Sequence, residues 1–304
     1  MRISTGNRHE GYEYYSCSRC GLYLNPAVLS KFRGYQIKHP NLAAGVEYYA
    51  HHAGARAVNA LDMAAACTIP LKAAAFIVST LRRLEAREGQ HQSATLTLQG
   101  VVEADAHGLR RCWVSNANPH FKEELAIARA RHPHKRPKAW SLWVRVAALM
   151  ERAGSGGRVV LALLPHKLCL PEAKPPPEST EEVVGSRLLL RMGPKAGLYP
   201  DGAQAWRAAA REQGLHRRKY DVCHSKFVFV RDVDAPPDLS KKAGTQSEDR
   251  RWGWLDGYIP QQITTKKNKK VNDALLEYAY SWVWRQNRAA EPMLTSLGRL
   301  CKAS

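Results

Sequence analysis

Acidic residues are scarce in this chain of 304 residues: 27 Asp plus Glu stand against 46 Lys plus Arg, a formal net charge of +19. That deficit favours a polyanionic partner, because a basic surface gains by releasing the counterions condensed on nucleic acid. A basic ribosomal-type or membrane-surface protein is the bland alternative. Long apolar runs are also missing. No stretch approaches the roughly 18 to 20 apolar residues of a membrane span, and residues 1–8 carry no apolar segment of the secretory kind. These absences predict a soluble, intracellular protein without a membrane partner. Cysteine is limited to seven residues, an odd count, and only Cys17 and Cys20 are close together. This excludes a secreted disulfide framework and leaves reduced thiols plus one metal knuckle as the simpler reading. No internal repeat is present. The 44% hydrophobic content suffices for a sizeable core.

Residues 1–40 are polar, aromatic and loop-like, centred on Cys17-Ser18-Arg19-Cys20-Gly21. Residues 42–88 are rich in Ala and Leu and read as helices. One helix is expected over 55–66 and a second over 70–87. Between them Thr68 is a plausible N-cap, and Pro70 suits a first helical turn. Leu71, Ala75, Val78 and Leu81 recur at helical spacing. After Gly89 the pattern changes to strands: 96–105, then 109–115 as the return strand of a hairpin, then 141–149 and 159–164. The glycines between 154 and 157 mark a turn, and 165–177 is a Pro-rich loop. Further on, 198–202 and 220–224 read as strand ends, 203–213 as a helix closed by Gly214, and 232–242 as a loop. Helices are expected over 244–257 and 272–286, with the basic run 266–270 between them. The alternation predicts an α/β domain with a mixed sheet. Tyr278, Tyr280, Trp282 and Trp284 fit a buried helix packed on that sheet better than a strand.

Three acidic positions stand out by context. Glu103 and Asp105 lie two apart on a strand and so share a face; an edge strand with a solvated acid is the bland alternative. Asp201 ends a strand in Tyr199-Pro200-Asp201-Gly202, where ligands of α/β sheets gather, although Asp-Gly is also an ordinary turn. Glu248 and Asp249 fall in the first turn of a helix that Thr245 or Ser247 would cap, where acids are favoured by the helix dipole alone. Together the acids suit phosphodiester chemistry. Mg²⁺ takes carboxylate oxygens while keeping waters and phosphate oxygens, and two such ions can activate the attacking oxygen and steady the leaving one.

The ordered set Val102-Glu103-Ala104-Asp105, Tyr199-Pro200-Asp201-Gly202-Ala203, Val222-Cys223-His224-Ser225-Lys226 and Thr245-Gln246-Ser247-Glu248-Asp249-Arg250-Arg251-Trp252 resembles the insertion-sequence DDE transposases. In particular it is similar to the group with a zinc ribbon, a helix-turn-helix and an RNase H-like core. The resemblance covers roughly residues 12–290 and is strongest from 98 to 287. It implies an α/β fold with an RNase H-like mixed five-stranded sheet flanked by helices, preceded by a helix-turn-helix region and a partial zinc knuckle. The implied boundaries are 1–40 for the zinc-ribbon-like segment, 41–92 for the helix-turn-helix, 93–290 for the DDE domain and 291–304 for a tail.

Carried over residue by residue, the resemblance makes Asp105, Asp201 and Asp249 the ligands of two Mg²⁺ (or Mn²⁺) ions. Asp249 stands three before Trp252, where the family has Glu, and Glu248 is the neighbouring substitute. Gln246 stands where Asn is usual. His224 would support the phosphate, or would be an ordinary strand-end histidine. Cys17 and Cys20 supply two of the four ligands that structural zinc needs; no second Cys-x-x-Cys is present, and the pair His51 and His52 reads more simply as surface. Lys72, Arg82, Arg83 and Arg87 on the second helix, with Lys226, Lys266, Lys267, Lys269 and Lys270, would contact DNA backbone. The implied activity is metal-dependent cleavage and strand transfer at transposon ends. The partner is double-stranded DNA, transposon ends and target, bound by a homo-oligomer in the nucleus or nucleoid. Three rivals remain: a domesticated or decayed DNA-binding descendant, an RNase H-like nuclease without strand transfer, and a basic structural protein.

Overall fold

The computed structural model describes residues 15–16, 23–24, 32, 37, 39–52, 54, 56–152, 157–201, 203–215, 219–220, 230–235, 239–244, 246–261, 263, 271, 273–288 and 291–303. Two short strands, β1 (Tyr15–Ser16) and β2 (Tyr23–Leu24), pair antiparallel. Three helices follow: α1 (His39–His52), α2 (Ala60–Cys67) and α3 (Leu71–Thr95). The sheet then begins with β3 (Val101–Ser115). Next come α4 (Lys122–Arg131), β4 (Ala139–Glu151), β5 (Val159–Leu163), β6 (Lys167–Cys169), α5 (Thr180–Gly185) and β7 (Gly197–Pro200). After them stand α6 (Gln204–Glu212), the ribbon of β8 (Val230–Asp232) and β9 (Lys242–Gly244), α7 (Gln246–Tyr258), α8 (Asp273–Asn287) and α9 (Met293–Ala303).

The protein is α/β, with a mixed five-stranded sheet flanked by helices. The order is β5-β4-β3-β7, and β6 adds to the far end of β4. β4 runs antiparallel to both β3 and β5, whereas β7 runs parallel to β3. A parallel bridge from Leu198 to Lys219 extends the sheet past β7. A parallel partner needs a crossover, and α5 lies in the one between β5 and β7. One face of the sheet packs on α5 and α6 through Val102, Ala104, Leu149, Val183 and Trp206. The other packs on α4, α7 and α8 through Val144, Val146, Leu125, Leu255 and Trp282. A third cluster joins α1, α2, α3, α8 and α9.

Several local expectations are corrected. The expected hairpin at Gly108 is one continuous strand of 15 residues, and its return strand is β4. A single glycine is no turn here: the register shifts by one residue between Gly108 and Arg110, a β-bulge that absorbs the irregularity. Because β3 lies between β4 and β7, Glu103 and Asp105 do not sit on an edge strand.

The first two expected helices also shift. Thr68 does not cap the start of a helix; it ends α2 in the left-handed region, φ 53°, with its N–H on Ala64 and Ala65 carbonyls. α3 continues through Gly89 to Thr95, because the missing side chain lets α8 approach: a Cβ at Gly89 would lie 1.9 Å from the Tyr280 carbonyl oxygen. Its buried stripe runs through Ala74, Ile77, Leu81 and Glu85. Leu71 and Ala75, expected on that stripe, are exposed.

The Pro-rich segment contains β6, and the loop expected over 232–242 ends in strand at both margins. The expected tail is helix α9, whose Leu297, Leu300 and Cys301 are buried in the helical cluster. Among the described residues, no helix is long and apolar enough to cross a membrane.

Candidate active site

Ala104 on β3 pairs with Pro200 on β7 in the last rung of their parallel register. Asp105 and Asp201 each follow by one residue, so the two acids stand level on neighbouring strands, which in a sheet lie about 4.8 Å apart. Tyr199 and Glu103 pair one rung earlier.

Asp105 is held from two sides. Its Oδ1 accepts the Ala106 N–H at 2.7 Å, and its Oδ2 accepts the Trp252 indole N–H at 3.0 Å. Each oxygen keeps a lone pair for a further partner. Burial first, and then the charge of Asp201, push the Asp105 carboxyl up to about 8. Asp201 accepts the Ala203 N–H at 2.9 Å, which fixes the turn into α6. The turn role and the nearness to Asp105 therefore coexist at this residue.

Glu178 is a third acid that reading the sequence missed. It follows the proline run, acts electrostatically on Asp105, and is itself raised by burial and then by Asp201. Its Oε1 is buried without a hydrogen-bond partner. Arg145 delivers it there. From β4, this buried guanidinium donates to the carbonyls of Pro165 (3.0 Å), Pro176 and Pro177 (both 3.3 Å) and to Glu182 Oε1 at 2.5 Å. Glu182 completes a capping box with Ser179 at the start of α5, one residue beyond Glu178. The sequence signal was that box, Ser179-Thr180-Glu181-Glu182, which marks a helix start directly after the prolines.

Helix α7 is docked on the same face of β3. Trp252 reaches Asp105, and its ring stacks on His107 with centroids 4.9 Å apart. One turn later Asp256 meets His107 Nε2 at 3.0 Å and Arg110 at 3.5 Å. Asp249 stands three residues before Trp252 in the same helix. Asp249 is exposed.

The entry to α7 is tied back to the sheet by Arg152. It pairs with Glu103, whose side chain is 1% exposed, at 2.6 Å. It also donates to the Lys242 carbonyl at 2.8 Å, to Ser240 Oγ at 3.3 Å and to the Gly244 carbonyl. Glu103 is thus a buried structural partner, and Asp105 alone of that pair faces the acid cluster. Among the described residues, no three His, Cys, Asp or Glu side chains stand close enough together to enclose a metal ion.

The remaining candidates distribute unevenly. On α3, Lys72 and Arg87 are exposed. Arg82 turns inward, bonding Glu277 and the Tyr278 hydroxyl on α8 with its guanidinium 4.3 Å over the Tyr278 ring. Arg83 pairs with Glu277 at 3.4 Å but is 65% exposed. The C-terminal half of α3 is buried against α8 and β5, where Ser93 Oγ accepts the Leu161 N–H. Its opposite side stays exposed at Arg83, Arg87, Gln90 and His91. His51 and His52 are exposed at the end of α1, and His52 stacks on Tyr48. Cys17, Cys20, His224, Lys226, Lys266, Lys267, Lys269 and Lys270, and the side chain of Glu248, lie outside the described residues.

No protein-family model, no curated protein and no solved structure is found to match this chain.

Proposed function

We propose that this protein is a DNA-processing enzyme of the DDE transposase type, with an RNase H-like core and a divalent-metal site at Asp105 and Asp201. The observation that carries the reading is the level placement of these two carboxylates on adjacent parallel strands, together with the docking of α7 on one of them through Trp252. The strand order supports the RNase H-like assignment, with three antiparallel strands, a parallel fourth, and a further parallel bridge beyond it.

The donor set fits a hard divalent cation. Asp105 resists ionisation beside Asp201, and a cation between them would relieve the cost of holding two half-buried carboxylates together. Asp105 and Asp201 would hold it; among the described residues neither Glu178 nor Asp249 closes a third position around them. A bound Mg²⁺ or Mn²⁺ supplies charge stabilisation for the phosphodiester and a more acidic attacking water or hydroxyl. Trp252 fixes the orientation of Asp105, and Arg152 holds the approach to α7 against β3. The net charge of +19 draws the DNA backbone to the protein. Cleavage at element ends, strand transfer into double-stranded target DNA, assembly as a homo-oligomer on that DNA, and a nuclear or nucleoid location follow from the same reading.

A second reading keeps the fold and drops the chemistry: a DNA-binding protein descended from a transposase. The exposed Asp249 favours it, since it stands where the family has Glu and is one methylene shorter. Nicking of supercoiled plasmid by the full chain with Mg²⁺ or Mn²⁺ separates the two. The enzyme reading expects metal-dependent nicking that disappears in Asp105→Ala. Nicking that persists in Asp105→Ala, with contamination removed, refutes the site. DNA binding without nicking, on plasmids carrying the cognate ends, selects the second reading.

A further inference from the structure

We propose that the far end of the β3–β4 pair, on the sheet face opposite the carboxylates, is a second nucleic-acid surface that takes single-stranded DNA or RNA by base stacking. Two independent features lie at this end of the sheet. The first is an aromatic–cation ladder. Trp113 on β3 is 50% exposed, the largest aromatic ring left open on this sheet. The Arg111 guanidinium lies 4.4 Å from its ring centre and 5.9 Å from that of Trp143, which pairs with Arg111 across the strands. Arg111 is oriented by donating its Nε–H to Ser141 Oγ at 2.8 Å. α5 and α6 pack on the half of this face nearer Asp201, and Pro175 lies against Gly108 beside Trp143, which leaves Trp113 as the exposed ring.

The second feature is charge. The segment 129–138, which leads into β4 at the same end, holds Arg129, Arg131, Lys135, Arg136 and Lys138, and residues 125–150 contain no Asp or Glu. Arg131, Lys135, Arg136 and Lys138 are all exposed. The segment is pinned rather than loose. Asn116 donates to the Pro137 carbonyl at 2.7 Å and accepts the Trp140 indole N–H at 2.8 Å, while Arg129 donates to the Asn116 carbonyl at 2.8 Å. The nearest acids in sequence, Glu123 and Glu124, sit in the first turn of α4, and the basic segment begins in its last.

An exposed ring stacked on Arg111, at the same end of the sheet as a held row of cations, matches the two requirements of single-strand binding, a π-face for bases and charge for the backbone. Duplex DNA would use the cations and leave Trp113 idle, since its bases are already stacked. The surface stands apart from the carboxylates: Trp113 is eight residues along the strand from Asp105, on the order of 25 Å.

The test is fluorescence anisotropy of the full chain with a labelled oligothymidylate of about 20 nucleotides and with a duplex of equal length. Trp113→Ala should weaken single-strand binding about 5- to 100-fold and leave duplex binding unchanged, and Trp113→Phe should recover most of the loss. Combining Lys135→Glu, Arg136→Glu and Lys138→Glu should lower the salt slope for the single strand by about 2. Trp113 is half exposed, so its variants should keep the parent's thermal midpoint, which is checked alongside. Unchanged single-strand affinity in Trp113→Ala overturns the proposal. So does an equal loss for both DNA forms in the charge-reversed variant with no effect of Trp113, which would mean a surface that reads phosphate alone. Either result leaves the carboxylate site, tested by nicking, untouched.

Discussion

Replacing Asp105 by Asn should change how stability depends on pH more than it changes stability at any one pH. The folded protein holds the Asp105 proton up to about 8, whereas an unfolded chain releases it near 4. Between those values the native state binds one proton more than the unfolded state. The stability this group contributes is therefore fully present below about pH 4 and is lost as pH rises through about 8. Four units at about 1.36 kcal/mol each would give between 5 and 6 kcal/mol. Asp105 keeps some solvent contact, so water and relaxation reduce the effect to about 2–3 kcal/mol. Asn carries no such titration. It offers one acceptor oxygen to two donors, Ala106 N–H and Trp252 N–H, and loses about 1–3 kcal/mol at every pH. Urea unfolding of both proteins from pH 5 to 9 without divalent cations reads the difference, in which all shared titrations cancel. The wild type should lead at pH 5, and its lead should shrink by about 2–3 kcal/mol by pH 9. Parallel curves would refute the burial and Asp201 argument together.

Two packing predictions follow from the same framework. Gly89→Ala would drive a methyl group into the Tyr280 carbonyl, and backbone cannot yield as a side chain tip can. The expected loss is about 3 kcal/mol, read as a lower urea midpoint, and an unchanged midpoint would show that α3 and α8 do not touch there. Arg152→Ala removes the 2.6 Å ion pair to the buried Glu103 carboxylate and releases the Lys242 and Gly244 carbonyls. It should cost about 3–5 kcal/mol. Much of that should return in the double variant Glu103→Gln with Arg152→Met, which removes both charges.

The sheet was legible where apolar runs are continuous. β4, β5 and β7 fall close to their expected positions because each is mostly apolar and mostly buried along its length. Gly108 misled, since a lone glycine marks a turn and a bulge alike and only the register of the partner strand separates them. Gly89 misled for the related reason that helix–helix approach leaves no local trace. Leu297, Leu300 and Cys301 do show helical spacing, yet a short segment beside the chain end reads as tail until α1 and α3 are seen to cover it. At the site, Asp105 and Asp201 were legible as strand acids. Their level placement was not, because it depends on a parallel register between segments almost a hundred residues apart. Glu178 was hidden by its prolines. It reaches the site through Arg145, a residue whose four partners are all distant in sequence.

The bulge in β3 explains how one strand serves two faces. Before it, Glu103, Asp105 and His107 point towards α7, opposite Met150, Ala148 and Val146. A regular strand would then send Arg110 to the other face and Arg111 back towards α7. The extra residue reverses this: Arg110 lies opposite Val144 and donates to the Ile259 carbonyl at 2.7 Å, while Arg111 and Trp113 swing to the open face. Deleting Leu109 would remove the bulge and keep the same rungs, Arg110 opposite Val144 and Arg111 opposite Trp143, so the Arg110 clamp and the exposed Trp113 should both survive it. Eight residues separate Trp113 from Asp105, an even spacing that a regular strand would place on one face, and the one extra residue sets them on opposite faces.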